Sequence, residues 1–437
     1  MPFFGFKGGV HPNYRKEVTS GKAVEVMPVR EGALYYVSLA QHIGAPAKAL
    51  VARGQEVKAG ELIGKAAGFI SANIHSPVSG KVTALQNIPH PVAGMAAGVV
   101  IEASGDQNDI LPAEHADKFQ NLVLNAGIVG LGGATFPTNV KLSPPKKVDT
   151  LLLNGAECEP CLTCDHRLML ERTEEIVKGA DIIRKSLKAE RLVIGIEENK
   201  PDAVELFAKY AETYSFELVS LEVKYPQGGE KQLIKAALDR VVPEGALPLE
   251  VGVVVQNVGT CLAVYEAVEN RKPLIERVVT VTGAVKEPKN LSVRIGTPVQ
   301  DIVDFCGGFT GDIRKLIMGG PMMGFALSGT DVPMMKGTSG IIAYLEEDLP
   351  NLRKSNCIRC GRCIEVCPMG LIPSIMDRFV VKELYESLAD WHVLNCIECG
   401  CCSYDCPSRR NLASGFKTSK REVMKILKQR EAEKNEK

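Results

Sequence analysis

The chain has no excess of either charge: Lys and Arg together number 52, and so do Asp and Glu. That balance argues against nucleic acid or an acidic membrane as the main partner, so any charged partner surface must be local. There is no charged-then-apolar leader over residues 1–10, and no uninterrupted apolar run approaches the ~18 residues of a membrane span. The expectation is a soluble, unexported protein. At 437 residues the chain has room for about three or four domains of ~100–200 residues, each with a core of its own. Cysteine, by contrast, is plentiful, with fourteen in the chain. Without a leader, and with eight of them in two regular runs, they point to a reducing compartment rather than to a disulfide framework.

Those runs share one spacing: Cys357-x2-Cys360-x2-Cys363-x3-Cys367-Pro368 and Cys396-x2-Cys399-x2-Cys402-x3-Cys406-Pro407. Three thiolates two residues apart can wrap one cube of iron and sulfide if the backbone curls tightly round it. The fourth, followed by proline, faces a second cube. The spacing therefore predicts two [4Fe-4S] clusters, one on Cys357, Cys360, Cys363 and Cys406, the other on Cys396, Cys399, Cys402 and Cys367. Cys-x2-Cys pairs also make structural zinc sites, but zinc needs two pairs per ion and leaves both Cys-Pro endings without a role. A chain with such clusters moves single electrons. Cys401 lies out of phase inside the second run and is expected to be a bystander.

Upstream the rhythm changes several times. Residues 30–103 alternate short Val/Ile/Leu segments with glycine turns, the pattern of a small all-β unit. From 116 to 270, short apolar strands at 151–154, 192–196 and 251–256 alternate with longer amphipathic stretches such as 167–187, which predicts an α/β domain. A strand at 277–283, a turn at Glu287-Pro288-Lys289-Asn290, a helix near 299–306 and the Gly-rich Ile317-Met318-Gly319-Gly320-Pro321-Met322-Met323-Gly324 predict a compact β-rich domain. Helical connectors surround the cysteine runs, and the Lys- and Glu-rich tail after Phe416 is expected to be solvated.

The second informative feature is Gly130-Leu131-Gly132-Gly133-Ala134-Thr135-Phe136-Pro137-Thr138, with Lys141 close behind. Packed glycines let backbone amides approach an anion or a flat ring, and a nearby lysine can offset phosphate or flavin charge. Alone, such a stretch is about as often a plain turn. Three more stretches follow it: Asn154-Gly155-Ala156-Glu157-Cys158-Glu159-Pro160, Tyr225-Pro226-Gln227-Gly228-Gly229-Glu230 and Gln256-Asn257-Val258-Gly259-Thr260. Together these resemble the FMN- and NADH-binding flavoprotein subunit of respiratory complex I, in which a β-grasp and a cluster-bearing helical domain follow in the same order. The chain resembles the NAD-reacting C subunit of Rnf electron transport complexes, the ion-translocating ferredoxin:NAD oxidoreductases, over nearly its whole length. That likeness includes Phe6-Lys7-Gly8-Gly9-Val10-His11-Pro12 and a lipoyl-like barrel-sandwich unit with halves Gly54-Gln55-Glu56-Val57-Lys58-Ala59-Gly60 and Ser76-Pro77-Val78-Ser79-Gly80-Lys81-Val82. Such barrels carry their cofactor on a hairpin lysine about seven residues before the Ser-Pro. Phe69 stands there and Lys65 lies too far upstream, so a docking or structural role is expected.

The resemblance implies a multidomain α/β plus β architecture: a barrel-sandwich hybrid over 1–110, a Rossmann-like FMN/NADH-binding domain over 111–272 and an SLBB-type β-grasp domain over 273–345. A helical two-[4Fe-4S] ferredoxin-type domain over 346–415 and a charged tail over 416–437 complete it. The resemblance places Gly130, Gly132, Gly133, Lys141, Asn154, Asn257 and Thr260 around FMN. Glu157, Glu159, Phe136 and Glu230 fall near FMN or the nicotinamide, with Glu157, Glu159 and Phe136 positioning and shielding the ring for hydride transfer. Leu131, Ala156 and Gly229 depart from the complex I pattern, which has an arginine, an aspartate and the first glutamate of a Gly-Glu-Glu loop there. Their loss implies a weaker hold on FMN. Cys158-x2-Cys161-x2-Cys164 admits a third cluster, against the reading of buried or loosely exposed thiols beside the flavin pocket. Cys261 and Cys306 read as core, and His11, His75 and His166 share no metal-ligand spacing.

The implied function is that of a peripheral subunit on the cytoplasmic face of a membrane. It would pass electrons between reduced ferredoxin and NAD(H) through two [4Fe-4S] clusters and FMN, with ion translocation in other subunits. The flavin is needed because a hydride carries two electrons and an iron–sulfur cube accepts one. Implied partners are the iron–sulfur B subunit, integral-membrane subunits and, indirectly, ferredoxin, with no nucleic acid. One alternative is a soluble microcompartment-type NADH-dependent corrin reductase, in which the flavin domain is expected to open the chain and the barrel to come late. Another is a non-catalytic, cluster-bearing docking subunit.

Overall fold

The run Leu151-Leu152-Leu153 has no polar side because the strand that carries it is covered on both faces. In the computed structural model, which describes residues 4–349 and 353–435, strand Thr150–Gly155 lies inside a four-stranded parallel sheet. The order across that sheet is Glu217–Leu221, Arg191–Glu197, Thr150–Gly155, Val253–Asn257. Leu151 and Leu153 share a core with Ile176, Val177 and Val264 of helices Thr173–Leu187 and Val258–Glu269. Leu152 packs in a separate core with Leu233 and Ile234 of helix Glu230–Leu238. Gly179 lets the first two helices cross closely, since a Cβ there would strike the Cys261 carbonyl. In chain order the strands run 3-2-1-4, so the sheet reverses its winding between Thr150–Gly155 and Val253–Asn257. A crevice opens at the carboxyl ends of strands at such a reversal.

Two details differ from the sequence reading. Stretch 167–187 is two helices, Cys164–Glu171 and Thr173–Leu187, which part at Arg172, where the Thr173 hydroxyl bonds the Met169 carbonyl. Strand Glu217–Leu221 went unmarked because Glu-Leu-Val-Ser-Leu is only half-buried at the sheet edge.

The barrel pairs a sheet ordered Leu34–Ser38, Gly94–Ala103, Gly80–His90, Glu56–Val57 with a smaller one of Lys48–Ala49, Leu62–Lys65 and Ile74–His75. They close on Val37, Ile63, Ile74, Val82, Val99 and Ile101. Phe69 is 80% exposed between the last two short strands. The β-grasp sheet has six strands in the order Val24–Val26, Lys289–Arg294, Glu276–Gly283, Gly340–Tyr344, Lys315–Met318, Phe325–Ala326, with helix Val299–Phe305 nearby. Its first strand, Val24–Val26, comes from the amino-terminal arm and pairs with Lys289–Arg294 rather than with a strand of the barrel sheets. Asn290, expected in a turn, is paired with Val24 and Thr280 inside this sheet. Its side chain accepts from the Thr163 and Thr280 hydroxyls and donates to the Thr19 carbonyl, all at 2.9 Å. Arm, flavin domain and β-grasp thus share one satisfied polar network.

Most described residues after Phe416 are exposed or half-buried, but the stretch is helical. It belongs to helix Leu412–Asn435, which buries Phe416 and Val423 against Met376 and Leu388 of the cluster lobe. Lys420 of the same helix donates to the Cys396 carbonyl at 2.5 Å. The high Lys and Glu content hid an apolar stripe that recurs at long intervals.

Lys336 joins three domains. Its ammonium, buried in the β-grasp, donates to the Asn73 carbonyl of the barrel at 2.8 Å and the Gly127 carbonyl of the flavin domain at 2.6 Å. Among the described residues no carboxylate offsets it, and burial pulls its pKa down to about 7. Above that value the folded protein holds fewer protons at this site than the unfolded chain, whose lysine titrates near 10.4, so stability from this group rises with pH between those values. We expect the unfolding free energy of the unmodified protein, relative to Lys336→Met, to increase by a few kcal/mol from pH 7 to 10. Urea unfolding at stepped pH measures this, and an unchanged difference would contradict the buried, unpaired ammonium.

Candidate functional site

The carboxyl ends of the two strands that flank the reversal carry Asn154 and Asn257, which are register partners. Asn257 caps helix Val258–Glu269, its Oδ1 accepting from the Gly259 amide at 2.8 Å, and its Nδ2 donates to Asp165 at 2.6 Å. Asn154 donates to the Gly228 carbonyl at 2.9 Å. Over this crevice the glycine loop closes as a ring, the Gly130 amide donating to the Phe136 carbonyl at 2.8 Å. It is pinned to the helix start by Leu131 N–H donating to the Thr260 hydroxyl at 2.9 Å. Gly132 lies against Asn257, and Gly133, at φ +111°, faces open space. Lys141 pairs with Glu230 at 2.7 Å, tying the loop's following helix to the Gln227-Gly228-Gly229 turn. The fold therefore gathers Gly130, Gly132, Gly133, Lys141, Asn154, Glu230, Asn257 and Thr260 at one switch point.

Glu157 and Thr135 hold left-handed backbones, φ +46° and +48°, conformations that non-glycine residues keep only where surroundings enforce them. Lys16 of the arm enforces the first, donating to the Glu157 carbonyl at 2.7 Å and the Leu162 carbonyl at 2.5 Å. The Glu157 carboxylate accepts from the Asp165 amide at 2.7 Å. Burial, with Glu157 beside it, raises Asp165 to about 6. Glu159 points away from the loop: it accepts from the Met322 and Met323 amides of the β-grasp at 3.0 and 2.9 Å, and burial raises it to about 7. Phe136 is half-buried.

The three departures each have a structural use. Leu131 is buried in the core, Gly229 precedes helix Glu230–Leu238, and the Ala156 carbonyl accepts from Lys200 at 2.6 Å. Lys200 is itself 1% exposed and paired with the fully buried Glu197 at 3.0 Å. Lys16, Asp165, Lys200 and Glu197 were missed in the sequence, where nothing marks a charged residue as buried. Around the crevice, both amide atoms of Gln227, the Thr138 hydroxyl and the Gln256 Nε2 are buried without partners among the described residues. Unsatisfied donors and acceptors beside an open glycine loop and a helix start fit a polar, anionic group such as FMN.

The cluster lobe repeats one backbone. Arg359 and Glu398, Gly361 and Gly400, and Gly370 and Arg409 all have positive φ, which curls each Cys-x2-Cys-x2-Cys loop and each Cys-Pro ending the same way. Cys367, Cys396, Cys399 and Cys402 line one small cavity, with Leu371, Ile397 and Phe416 among its apolar walls. Cys357, Cys360, Cys363 and Cys406 line another, bounded by Arg359, Asp377 and Arg410. Four thiols per cavity, crossed between the runs, is a donor set that fits a cube of iron and sulfide.

The first cavity abuts the flavin domain. Tyr225 is buried and donates to the Cys399 carbonyl at 2.8 Å, while its backbone pairs with Val10 in both directions. Gly8 passes so close to Cys367 that a Cβ there would lie 2.7 Å from its carbonyl carbon. Cys158 and Cys401 complete this apolar contact, so Cys401 is a packing residue of the junction. Cys158, Cys161 and Cys164 do not converge. Cys158 faces Tyr225, Cys161 packs with Leu162, Ile317 and Ile342, and Cys164 lies beside Glu157 and Asp165. Burial pushes all three thiols up. Cys261 and Cys306 are core residues.

Family models match in the same order along the chain: the RnfC barrel sandwich hybrid domain over 4–106, the Nuo51 FMN-binding domain over 123–266, the SLBB domain over 278–326 and the 4Fe-4S dicluster domain over 349–407. The C subunit of the proton-translocating ferredoxin:NAD(+) oxidoreductase complex of Clostridium ljungdahlii is 48% identical over 393 residues, 87% of this chain and 86% of that protein. The C subunit of the Na(+)-translocating complex of Acetobacterium woodii is 45% identical over 431 residues, 96% and 97% of the two chains. Its counterpart in the ion-translocating oxidoreductase complex of Rhodobacter capsulatus is 44% identical over 387 residues, 85% and 74%.

Removing one member of the buried Lys200–Glu197 pair strands the other charge. Lys200→Met is therefore expected to cost about 3–5 kcal/mol, and the Lys200→Met/Glu197→Leu double variant to recover much of it. Urea unfolding of the single and double variants tests this coupling.

Proposed function

The chain belongs to the C-subunit family of ion-translocating ferredoxin:NAD(+) oxidoreductase complexes, and from that premise we propose how its residues serve the reaction. It is a peripheral electron-transfer subunit with FMN, two [4Fe-4S] clusters and NAD(H) as substrate, and its partners are the other subunits of the complex. No helix among the described residues is long and apolar enough to cross a membrane. We place it on the cytoplasmic face, a position supported by fourteen cysteines that are all free. Neither the corrin-reductase nor the non-catalytic alternative is favoured by these relatives.

When bound, FMN converts between the electron pair of a hydride and the single electrons that iron–sulfur clusters carry. The amides of Gly130, Gly132 and Gly133 and the start of helix Val258–Glu269 would cradle its polar groups, with Asn154, Asn257 and Thr260 fixing the loop and crevice. Lys141, steadied by Glu230, supplies positive charge at the rim. Glu157, braced by Lys16, and Phe136 border the face left for the nicotinamide, where hydride transfer needs alignment and exclusion of water rather than a protein acid or base. Glu159 acts through the β-grasp loop that it holds. Cys367, Cys396, Cys399 and Cys402 would hold the cluster on the flavin side, and Cys357, Cys360, Cys363 and Cys406 the outer one. Proton- and sodium-translocating relatives stand at nearly equal identity, which supports an ion path in other subunits.

The observation that carries this reading is the glycine loop over the Asn154–Asn257 switch point, with a four-thiol cavity whose Cys399 loop is tied to the same domain by Tyr225. Protein purified or reconstituted without air should hold one FMN and about eight iron atoms per chain and oxidise NADH with a viologen acceptor. A preparation that carries iron but neither binds flavin nor oxidises NADH would overturn it.

A further inference from the structure

Strand Glu276–Gly283 belongs to the β-grasp, yet its second residue reaches into the flavin domain. Arg277, in register with Val293, is only 4% exposed. Its Nη2 donates to the Leu131 carbonyl of the glycine loop at 3.3 Å. A Cβ on Gly259 would lie 3.2 Å from Nη1, so the guanidinium also rests against the first turn of helix Val258–Glu269, where a glycine leaves it room. Its Nε is buried without a partner, and the side chain forms no ion pair among the described residues. Asp165 and the Cys164 thiol lie near enough to feel its charge, but Asp165 is already bonded to Asn257 at 2.6 Å.

This is a costly place for a cation. A helix start carries partial positive charge and repels a guanidinium set against it, and helix Val258–Glu269 has no acidic residue in its first turn to offset the two. Burial adds a desolvation penalty that only a closely bonded anion offsets. Two positive features and an unused N–H therefore converge on the loop and helix start that are assigned above to the polar groups of FMN. The loop itself lacks a cation, since Leu131 stands where the complex I pattern has an arginine, and it is the Leu131 carbonyl that Arg277 holds. Lys141, close behind the loop, is already paired with Glu230. We propose that Arg277, carried into the flavin domain by the β-grasp, is a positioning residue for the phosphate of FMN: it fixes the Leu131 carbonyl and sets a positive charge at the glycine loop, so that the site selects the phosphorylated flavin over riboflavin. The inference rests on the FMN reading above and adds the residue that supplies the charge and the part of the flavin that needs it. It also gives the β-grasp a share in holding the cofactor.

The test titrates the full chain, clusters intact and freed of flavin, with FMN and with riboflavin in the absence of air, and reads affinity from the quenching of flavin fluorescence. The unmodified protein should bind FMN about tenfold or more tightly than riboflavin. Arg277→Gln keeps a donor for the Leu131 carbonyl but loses the charge. It should weaken FMN binding about tenfold or more while riboflavin binding changes little. Arg277→Lys should recover part of that loss. Gly259→Ala keeps the arginine but crowds its Nη1, and should narrow the ratio of FMN to riboflavin affinity in the same direction even if Arg277→Gln does not fold, with iron content showing which variants are intact. Equal loss of both flavins in the variants would make Arg277 a strut of the domain junction and overturn the proposal. So would a ratio that no substitution changes, or a ratio near one in the unmodified protein. In those cases FMN still binds the unmodified chain and the FMN reading stands; if the unmodified chain binds neither flavin, that reading falls and the proposal falls with it.

Discussion

The contact on which the rest depends is the one between Tyr225 and the cluster loop. A flavin site and a four-thiol site are useful to each other only if the chain holds them rigidly together, and these belong to domains far apart in sequence. Tyr225 bridges them with its hydroxyl on the Cys399 carbonyl, while its backbone pairs with the arm at Val10. The arm then continues past Cys367, where Gly8 and Gly9 are required because a side chain at either would meet backbone. The sequence Phe6-Lys7-Gly8-Gly9-Val10 thus has a mechanical meaning: it is a strap passed between two lobes.

The crevice itself is unusually charged for its depth. Lys16, Glu157, Asp165, Glu197 and Lys200 lie together with little water, where an unpaired charge costs several kcal/mol. Lys16, Glu157, Glu197 and Lys200 are paired or hydrogen-bonded to backbone, Asp165 accepts from the Asn257 side-chain amide, and two of those bonds hold the carbonyls of Ala156 and Glu157. The network spends its charges on shaping one turn of backbone. That offers a physical account of why Ala156 can stand where the complex I pattern has an aspartate: the turn is held from beneath by Lys200 rather than from its own side chain.

The paired cysteine runs show how one local motif can serve two environments. Their backbones match in kind, down to corresponding left-handed residues, yet one faces a protein interior and the other faces outward. Solvent access and nearby charge are among the main influences on a cluster's potential. Two sites from one motif therefore need not be equivalent, and the fold, by burying Cys399 and Cys402 of one set and leaving Cys357 and Cys360 of the other exposed, makes them different.

Local spacing alone determined a good deal. The crossed sets of four cysteines and the α/β rhythm were legible because each is a short-range pattern with a strong steric or covalent reason, whereas the glycine loop with its three companion stretches was legible only through the family resemblance. Tertiary structure decided what spacing cannot carry. The arm's strand in the β-grasp, the half-buried edge strand Glu217–Leu221 and the packing of helix Leu412–Asn435 depend on partners distant in the chain or on a sparse apolar stripe in a charged segment. The separation of Cys158, Cys161 and Cys164 into three neighbourhoods, and the burial of Lys16, Lys200 and Lys336, were decided there too. A lysine in a sequence looks the same whether it will meet water or two carbonyls in the dark, and only the packing of distant elements removes the water.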